Sequence, residues 1–337
     1  MQRDTTMDLM RLGFMFMICL VHAVGCDNSR WTHWLTNVSF AGVLGFVLIS
    51  GYYGIRFSWR KVLKIEGVGI GCALTVVSTA ALLGSDTFTV QYFAQEVLRL
   101  FKGYWFVHAY VLLLCLSPLV PDSQTLKLSN PSNFQTFLPI VFVIYGWSFL
   151  AHLPGLNKVL PLTSGLEPFG GITLFAVYLI GRLYRLQDWD AKLRLRWVIS
   201  LTVFCGLAVA SIIPPTNGWA GVLARYNSPF LLGLALGLFW LLRRLPVLSM
   251  PWLVKILQVL TPSVFSIYLI HCNDYGLAAL VGLEKALSTH GITGYVMFVA
   301  LAAAAFVGGL VLDLPRRGVV SLVWRLNCIL MSKGSRV

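Results

Sequence analysis

The residues with the clearest chemical potential lie together near the start of the chain. Asp8 and Arg11 are three residues apart, and His22 follows Arg11 after ten mainly apolar residues. At about 100° per residue, eleven helical steps make three turns plus roughly 20°, so Arg11 and His22 share one face about 16 Å apart. Asp8 lies one turn before Arg11 on nearly the same face. This pattern indicates a site that binds an anion at one end and moves a proton at the other.

The candidate catalytic group is therefore Asp8, Arg11 and His22, with His22 as the general base. A neutral imidazole is the side chain best suited to accept a hydroxyl proton near pH 7. Each residue alone has a structural explanation. Arg11 could extend its side chain to the membrane surface, and His22 could form a hydrogen bond in the core. Neither explanation accounts for the face that the two residues share.

The composition places these residues inside a membrane protein. Hydrophobic residues make up 57% of the 337 residues and charged residues only 12%, whereas soluble domains carry about 25% charged residues. A disordered chain would be polar and charged. The seven cysteines are scattered without CxxC spacing, which excludes a disulfide-stapled secreted fold. The sequence predicts an all-α, polytopic integral membrane protein.

Ten apolar segments approach the length of about 20 residues that a spanning helix needs. We predict spans at Met7–Gly25, Leu35–Ile55, Leu63–Leu83, Trp105–Leu119, Thr136–His152, Gly171–Tyr184, Val198–Ile213, Trp219–Leu242, Leu253–His271 and Gly294–Leu312. The segment before Cys26 could also be interpreted as a lipoprotein signal peptide. The presence of His22 within it and Ala23 three residues before the cysteine favour a first span. We expect one membrane-embedded domain over residues 1–337, with no appended soluble domain.

The net charge of +13 follows this topology. With the N-terminus inside, twenty of the 26 Lys and Arg residues fall in inner segments. Only Arg30, Arg99, Lys102, Lys158 and Lys285 fall in outer segments, and Arg225 falls inside the eighth span. Such asymmetry predicts that both termini are cytoplasmic. It also explains the positive charge without a nucleic-acid partner.

Two further groups of polar residues are candidates for binding. At the inner surface, Arg60, Lys61 and Lys64 follow a second span that contains Ser50. A basic group beside a membrane is typical of topology or lipid contact, and it would also bind a polyphosphorylated ligand. Toward the outer side, the candidates are Trp105, His108, Arg225, Asn227, Tyr268 and His271. Trp105 and Tyr268 are also explained without a binding role, because aromatic residues are common at membrane surfaces. An arginine at the depth expected for Arg225, in contrast, needs a partner or water.

Several segments, in order, resemble the membrane-bound acyltransferase family 3. The pattern Asp8-x-x-Arg11-x10-His22 is similar to the first span of that family. Later segments that resemble it are Gly45-Phe-Val-Leu-Ile-Ser50-Gly51-Tyr52, Phe57-Ser-Trp-Arg60-Lys61-Val-Leu-Lys64, Tyr104-Trp105-Phe106, Arg225-Tyr-Asn-Ser228-Pro229 and Phe265-Ser-Ile-Tyr268-Leu-Ile-His271. The last two resemble the glycan O-acetyltransferase branch. One departure is Lys64, where the family frequently has arginine.

The resemblance implies a bacterial inner-membrane enzyme that moves an acyl group from cytosolic acetyl-CoA to a hydroxyl of a cell-surface carbohydrate. The basic residues Arg11, Arg60, Lys61 and Lys64 would then hold the phosphates of coenzyme A, with Ser50 nearby, and the outer polar group would bind the acceptor. His22 would act as general base in direct transfer, with an acyl-enzyme on His22 as a less favoured route. No metal is expected.

Two other classes stay open on sequence grounds. A transporter or flippase would line an alternating-access path with polar groups, although the inverted repeats expected of many transporters are not visible. A purely structural role explains the number of spans but not the common face of Arg11 and His22.

Overall fold

The chain is helical throughout the part that the structure describes. The computed structural model describes residues 4–23, 30–82, 90–100, 104–120, 137–153, 156, 170–211, 222–245 and 250–334. Within these residues it is 87% helical and contains no strand, which confirms the predicted all-α class. Cys26, the residue on which the signal-peptide interpretation depends, lies outside them.

Fifteen α-helices are described in chain order. They are α1 (Thr5–His22), α2 (Arg30–Ser39), α3 (Ala41–Tyr53), α4 (Trp59–Leu82), α5 (Val90–Leu100), α6 (Trp105–Leu116), α7 (Phe137–Leu150), α8 (Gly171–Leu186), α9 (Trp189–Lys192), α10 (Leu195–Ala210), α11 (Pro229–Arg243), α12 (Pro251–Leu260), α13 (Val264–His271), α14 (Asp274–Thr289) and α15 (Gly294–Gly334). Short 3₁₀ turns at Ser117–Leu119 and Thr261–Ser263 extend α6 and join α12 to α13.

Five helical segments in the described residues are long and apolar enough to cross a membrane. They are Thr5–His22, Thr32–Tyr53, Trp59–Leu82, Pro251–His271 and Gly294–Leu322. Three shorter apolar helices lie at Trp105–Leu119, Leu195–Ala210 and Pro229–Arg243. Many large apolar side chains point outward, among them Leu63, Trp197 and Phe204. A surface of this kind is typical of contact with lipid. The full count of ten spans and the side on which the termini lie stay predictions.

Three predicted spans differ in detail from the structure. The second consists of two helices, α2 and α3, that meet at Phe40. The ninth is interrupted at Pro262, where the ring removes a backbone donor and α12 gives way to the 3₁₀ turn. In the eighth predicted span the helix, α11, begins only at Pro229, after the cap that the Ser228 hydroxyl provides, so Arg225 precedes the helix instead of lying within it.

The core forms around α1, which packs against α3, α13 and α15. Phe14 of α1 is buried against glycines of α3, and a Cβ at Gly42 or Gly45 would collide with the backbone or ring of Phe14. Helices α3 and α8 approach equally closely, because a Cβ at Gly181 would lie 2.6 Å from the Leu48 carbonyl oxygen. Small residues at such crossings let the backbones of membrane helices touch.

Candidate active site

A cavity of about 450 Å³ lies between α1, α3, α4, α6 and the segment that joins α12 to α13. Most of its lining is apolar, with Met15, Ile18, Val43, Ile49 and Val68 among the aliphatic side chains. Arg11 and His22 both line it, so the two residues that the helical spacing places on one face open onto one space. An apolar cavity with a few polar groups is the usual form of a small-molecule site.

The Arg11 end of the cavity is cationic and held by an ion pair. An Arg11 guanidinium nitrogen donates to Asp8 Oδ1 at 2.8 Å, and the Asp8 side chain is only 3% exposed. The guanidinium carbon lies 5.8 Å from the ring centre of Tyr53, which also lines the cavity. Lys64 of α4 supplies a second cation to the lining. Asp8 therefore positions Arg11 and does not itself line the cavity.

Ser50 lies farther along the same wall. Its hydroxyl donates to the Phe46 carbonyl at 3.1 Å and lies 3.4 Å from the Tyr110 hydroxyl. Both Ser50 and Tyr110 line the cavity. Arg60 and Lys61, which were predicted to share the donor site, are exposed and are not among the lining residues. The Lys61 ammonium donates to the Arg56 carbonyl at 2.6 Å.

The His22 end contains a second histidine and a thiol. His271 Nε2 lies 3.1 Å from His22 Nδ1, and the centres of the two rings are 5.0 Å apart. Cys272 Sγ lies 3.6 Å from His22 Nε2 and 3.4 Å from His271 Nε2. Helix α1 and helix α13 both end at a histidine, which is why these side chains meet although 249 residues separate them.

The backbone partners assign the tautomers of both histidines. His22 Nδ1 lies 3.0 Å from the Ile18 carbonyl oxygen, and His271 Nδ1 lies 2.5 Å from the Ile267 carbonyl oxygen. A carbonyl only accepts, so each Nδ1 carries its proton and each Nε2 presents a lone pair. The His22 Nδ1–H is shared between Ile18 and His271 Nε2. His22 Nε2 is thereby available as a base.

Aromatic side chains surround this end of the cavity. The rings of Trp105 and Tyr226 lie 5.3 Å apart at an interplanar angle of 37°, and Phe106 lies 5.9 Å from Tyr268. All four line the cavity. Trp105 and Tyr268 were sequence candidates. Phe106 and Tyr226 are not among the predicted site residues, although both belong to sequence segments that resemble the family.

Three predicted acceptor residues have other surroundings. Asn227 is fully buried, and its amide donates to the Ser148 carbonyl and hydroxyl oxygens at 2.8 and 2.9 Å, which ties the turn before α11 to α7. Arg225 is exposed in that same turn, and His108 is exposed on α6. None of the three is among the residues that line the cavity. His271 does not line it either, but it contacts His22 and Tyr268, which do.

One group of side chains could hold a metal ion, although the sequence predicted no metal. The ligand atoms of His22, His271 and Cys272 all lie within 4.8 Å of one another. Two imidazole nitrogens and a sulfur suit a soft or borderline divalent ion such as zinc. The same atoms also form a plausible set of nucleophile, base and orienting group.

Comparison with known proteins identifies the family. The model of the acyltransferase family 3, described as an acyltransferase domain, matches residues 4–314. The match covers nearly the whole chain, so the chain belongs to this family. No curated protein matches the chain, and no solved structure matches it. Family membership supports an acyltransferase embedded in a membrane.

Proposed function

We propose that this protein is an integral-membrane O-acyltransferase that moves an acetyl group from cytosolic acetyl-CoA to a hydroxyl of a cell-surface glycan in the bacterial inner membrane. The observation that carries the proposal is that Arg11 and His22, three helical turns apart, line one and the same cavity. The family match favours acyl transfer over the transporter or flippase that the sequence left open.

Coenzyme A has the shape and charge that this cavity requires. Its nucleotide end is anionic, and Arg11 and Lys64 supply cations to the lining. Its thin arm is largely uncharged and suits the aliphatic wall formed by residues such as Met15, Ile18 and Ile49. With the phosphates near Arg11, the thioester points along α1 toward His22, about 16 Å away along the helix axis.

The reaction requires a base beside the thioester, and His22 has the necessary geometry. Its Nδ1–H is committed to Ile18 and His271, so Nε2 can accept the proton of an acceptor hydroxyl. If transfer is direct, the hydroxyl oxygen attacks the thioester carbonyl carbon, the carbon–sulfur bond breaks, and His22 returns the proton to the coenzyme A thiolate. His271 is a positioning residue, because it orients the His22 ring.

The aromatic residues favour a carbohydrate as acceptor. Trp105, Phe106, Tyr226 and Tyr268 present ring faces and two phenol hydroxyls near His22. Sugar rings stack on aromatic faces through their C–H groups, and hydroxyl groups give orientation. Because Arg225, Asn227 and His108 lie off the cavity, we assign them no direct contact with the acceptor in this state.

The test uses purified protein in detergent, acetyl-CoA and a panel of oligosaccharides. We expect release of the coenzyme A thiol that depends on protein and is stimulated by at least one oligosaccharide, with the acetyl group recovered on that sugar. The transporter alternative is tested in proteoliposomes. Uptake of a labelled oligosaccharide without thioester consumption would overturn the enzyme assignment.

A further inference from the structure

The geometry points to Cys272 as an acyl carrier: its thiol accepts the acyl group from the donor and passes it to the acceptor, with His22 as the base in both steps. This inference rests on the proposed function, because it specifies the route that the acyl group takes through the same site. It replaces direct transfer with two half-reactions.

The three side chains have the arrangement of an activated nucleophile. Cys272 Sγ lies 3.6 Å from His22 Nε2, which is within hydrogen-bonding reach for a thiol. His22 Nε2 carries the lone pair because its Nδ1–H is held by Ile18 and His271. Nucleophile, base and orienting group are the recurring parts of covalent acyl transfer. An imidazole beside a thiol favours the thiolate, the reactive form of cysteine.

The position of the thiol also suits a carrier. Cys272 directly follows α13 and is partly exposed, whereas His271 beside it is only 2% exposed. Tyr226 and Tyr268, both in the cavity lining, lie close enough to Cys272 to interact with it electrostatically. Cys272 is not itself among the lining residues, but its sulfur contacts His22, which is. The sulfur therefore lies directly behind the side chain at the end of the cavity where the thioester of a bound donor would arrive.

The two half-reactions balance without a further reactant. In the first, the Cys272 proton moves to His22 Nε2, the sulfur attacks the thioester carbonyl, the bond to the coenzyme A sulfur breaks, and that thiolate takes the proton. In the second, a sugar hydroxyl gives its proton to His22 and attacks the carbonyl carbon held by Cys272, the bond from that carbon to the Cys272 sulfur breaks, and the Cys272 thiolate takes the proton back from His22. The first step exchanges one thioester for another, and the second forms a more stable oxygen ester.

A covalent carrier separates the two substrates in time. The donor can leave before the acceptor binds, so the aromatic end of one cavity of about 450 Å³ need not hold both at once. Kinetics of this kind are ping-pong, with a covalent intermediate that accumulates when the acceptor is absent.

The decisive experiment therefore omits the acceptor. Purified protein is incubated with acetyl-CoA and isotopically labelled coenzyme A, and the label that enters acetyl-CoA is measured. A second sample receives acetyl-labelled acetyl-CoA, is denatured, and is mapped by mass spectrometry. We expect the label to enter acetyl-CoA in the first sample. In the second sample we expect an acetyl group on the peptide that contains Cys272, and neutral hydroxylamine should remove that group because it cleaves thioesters.

Variants distinguish this thiol from others in the chain. Cys272→Ala should lose the adduct and lower exchange and transfer at least about 100-fold, and Cys272→Ser serves as a variant of nearly unchanged size. Cys115→Ser is the matched control, because Cys115 is exposed on α6 and does not belong to the group formed by His22, His271 and Cys272. Binding of acetyl-CoA by calorimetry shows that each variant is folded.

Three results would overturn the carrier. If Cys272→Ala transfers acetyl groups at the wild-type rate, transfer is direct and the proposed function stands. If a chelator abolishes activity and zinc restores it, the three side chains are a metal site. If the wild type neither binds acetyl-CoA nor consumes it, the proposed function fails together with the carrier.

Discussion

At the scale of residues, the candidate site depends on two side chains on one face of one helix. Arg11 and His22 are separated by three turns of α1, and both line the cavity. Each has a supporting residue that fixes its orientation, Asp8 for Arg11 and His271 for His22. The role proposed for Arg11 is electrostatic, and the role proposed for His22 is proton transfer.

The first prediction concerns the donor end. Arg11→Ala should weaken binding of coenzyme A roughly 10- to 100-fold, because a charge-assisted hydrogen bond contributes about 1.5–3 kcal/mol. Calorimetric titration with coenzyme A measures the affinity. Lys255→Ala, which removes an exposed cation outside the cavity lining, should leave it unchanged.

The ion pair with Asp8 calls for a second variant. Arg11→Ala also removes a partner of the buried Asp8 carboxylate, which destabilises the fold independently of donor binding. Asp8→Asn combined with Arg11→Ala should recover part of that stability while the affinity for coenzyme A stays low. If Arg11→Ala binds coenzyme A as tightly as the wild type, Arg11 is not part of the donor site.

At the scale of elements, close packing of helices holds the cavity walls in place. Helix α3 carries Ser50 and Tyr53 to the cavity and packs on α8 through Gly51 and Gly181. Helices α1 and α13 end side by side, so their final histidines touch. The site is therefore sensitive to the distance between helices as well as to the side chains that line it.

The second prediction concerns the contact between α3 and α8. Gly181→Ala should lower the thermal unfolding midpoint in detergent, because its Cβ would lie 2.6 Å from the Leu48 carbonyl oxygen. Overpacking of this kind costs about 1–3 kcal/mol. At Gly67 of α4 a Cβ would meet nothing within 4 Å among the described residues, so Gly67→Ala should be neutral or slightly stabilising. Equal unfolding midpoints for the two variants would refute the close contact.

The periodicity of the sequence predicts features within one helix but not the contacts between helices. The common face of Arg11 and His22 follows from helical geometry alone. The turn that holds Arg225 and the interruption at Pro262 required knowledge of where each helix begins and ends. The contact between His22 and His271 joins residues 249 positions apart, and no local pattern specifies it. The sequence predicts that His271 binds the acceptor, whereas in the structure its ring contacts His22.

Two helices outside the predicted spans show the same limit. Helix α5 and helix α14 lie in segments that the sequence assigned to loops. Their mixed polar and apolar residues lack the sustained hydropathy of a span. Asn273 at the start of α14 caps it by accepting from the Tyr275 amide at 3.0 Å. A cap residue alone does not predict a helix, because asparagine is equally common in turns.

At the scale of the whole molecule, the proposed function requires a cavity that substrates can enter from both sides of a membrane. The distribution of Lys and Arg predicts which side each end faces, with Arg11 toward the cytoplasm and His22 toward the outer side. The donor and acceptor would then approach from opposite directions. This orientation is independent of the chemistry and has its own test.

The third prediction is one of topology. In a variant with its native cysteines replaced, Lys158→Cys should react with a membrane-impermeant maleimide in intact bacterial cells. Arg194→Cys should react only after the membrane is permeabilised, because Arg194 belongs to a predicted inner segment. If the cysteine at position 194 reacts in intact cells and the one at position 158 does not, the orientation is the reverse of the predicted one. Arg11 would then lie on the outer side, where it could not bind a cytosolic donor.

The most direct test of the central claim separates the binding of the donor from the transfer of its acyl group at His22. The variant is His22→Gln, with His290→Gln at an exposed site on the end of α14 as the control. Acetyl-CoA binding is measured by calorimetry, and acetyl transfer by release of the coenzyme A thiol in the presence of an accepted oligosaccharide. We predict that His22→Gln binds acetyl-CoA within about 3-fold of the wild type and transfers the acetyl group about 10²- to 10⁴-fold more slowly. Wild-type transfer rates in His22→Gln would contradict the assignment of His22 as the base.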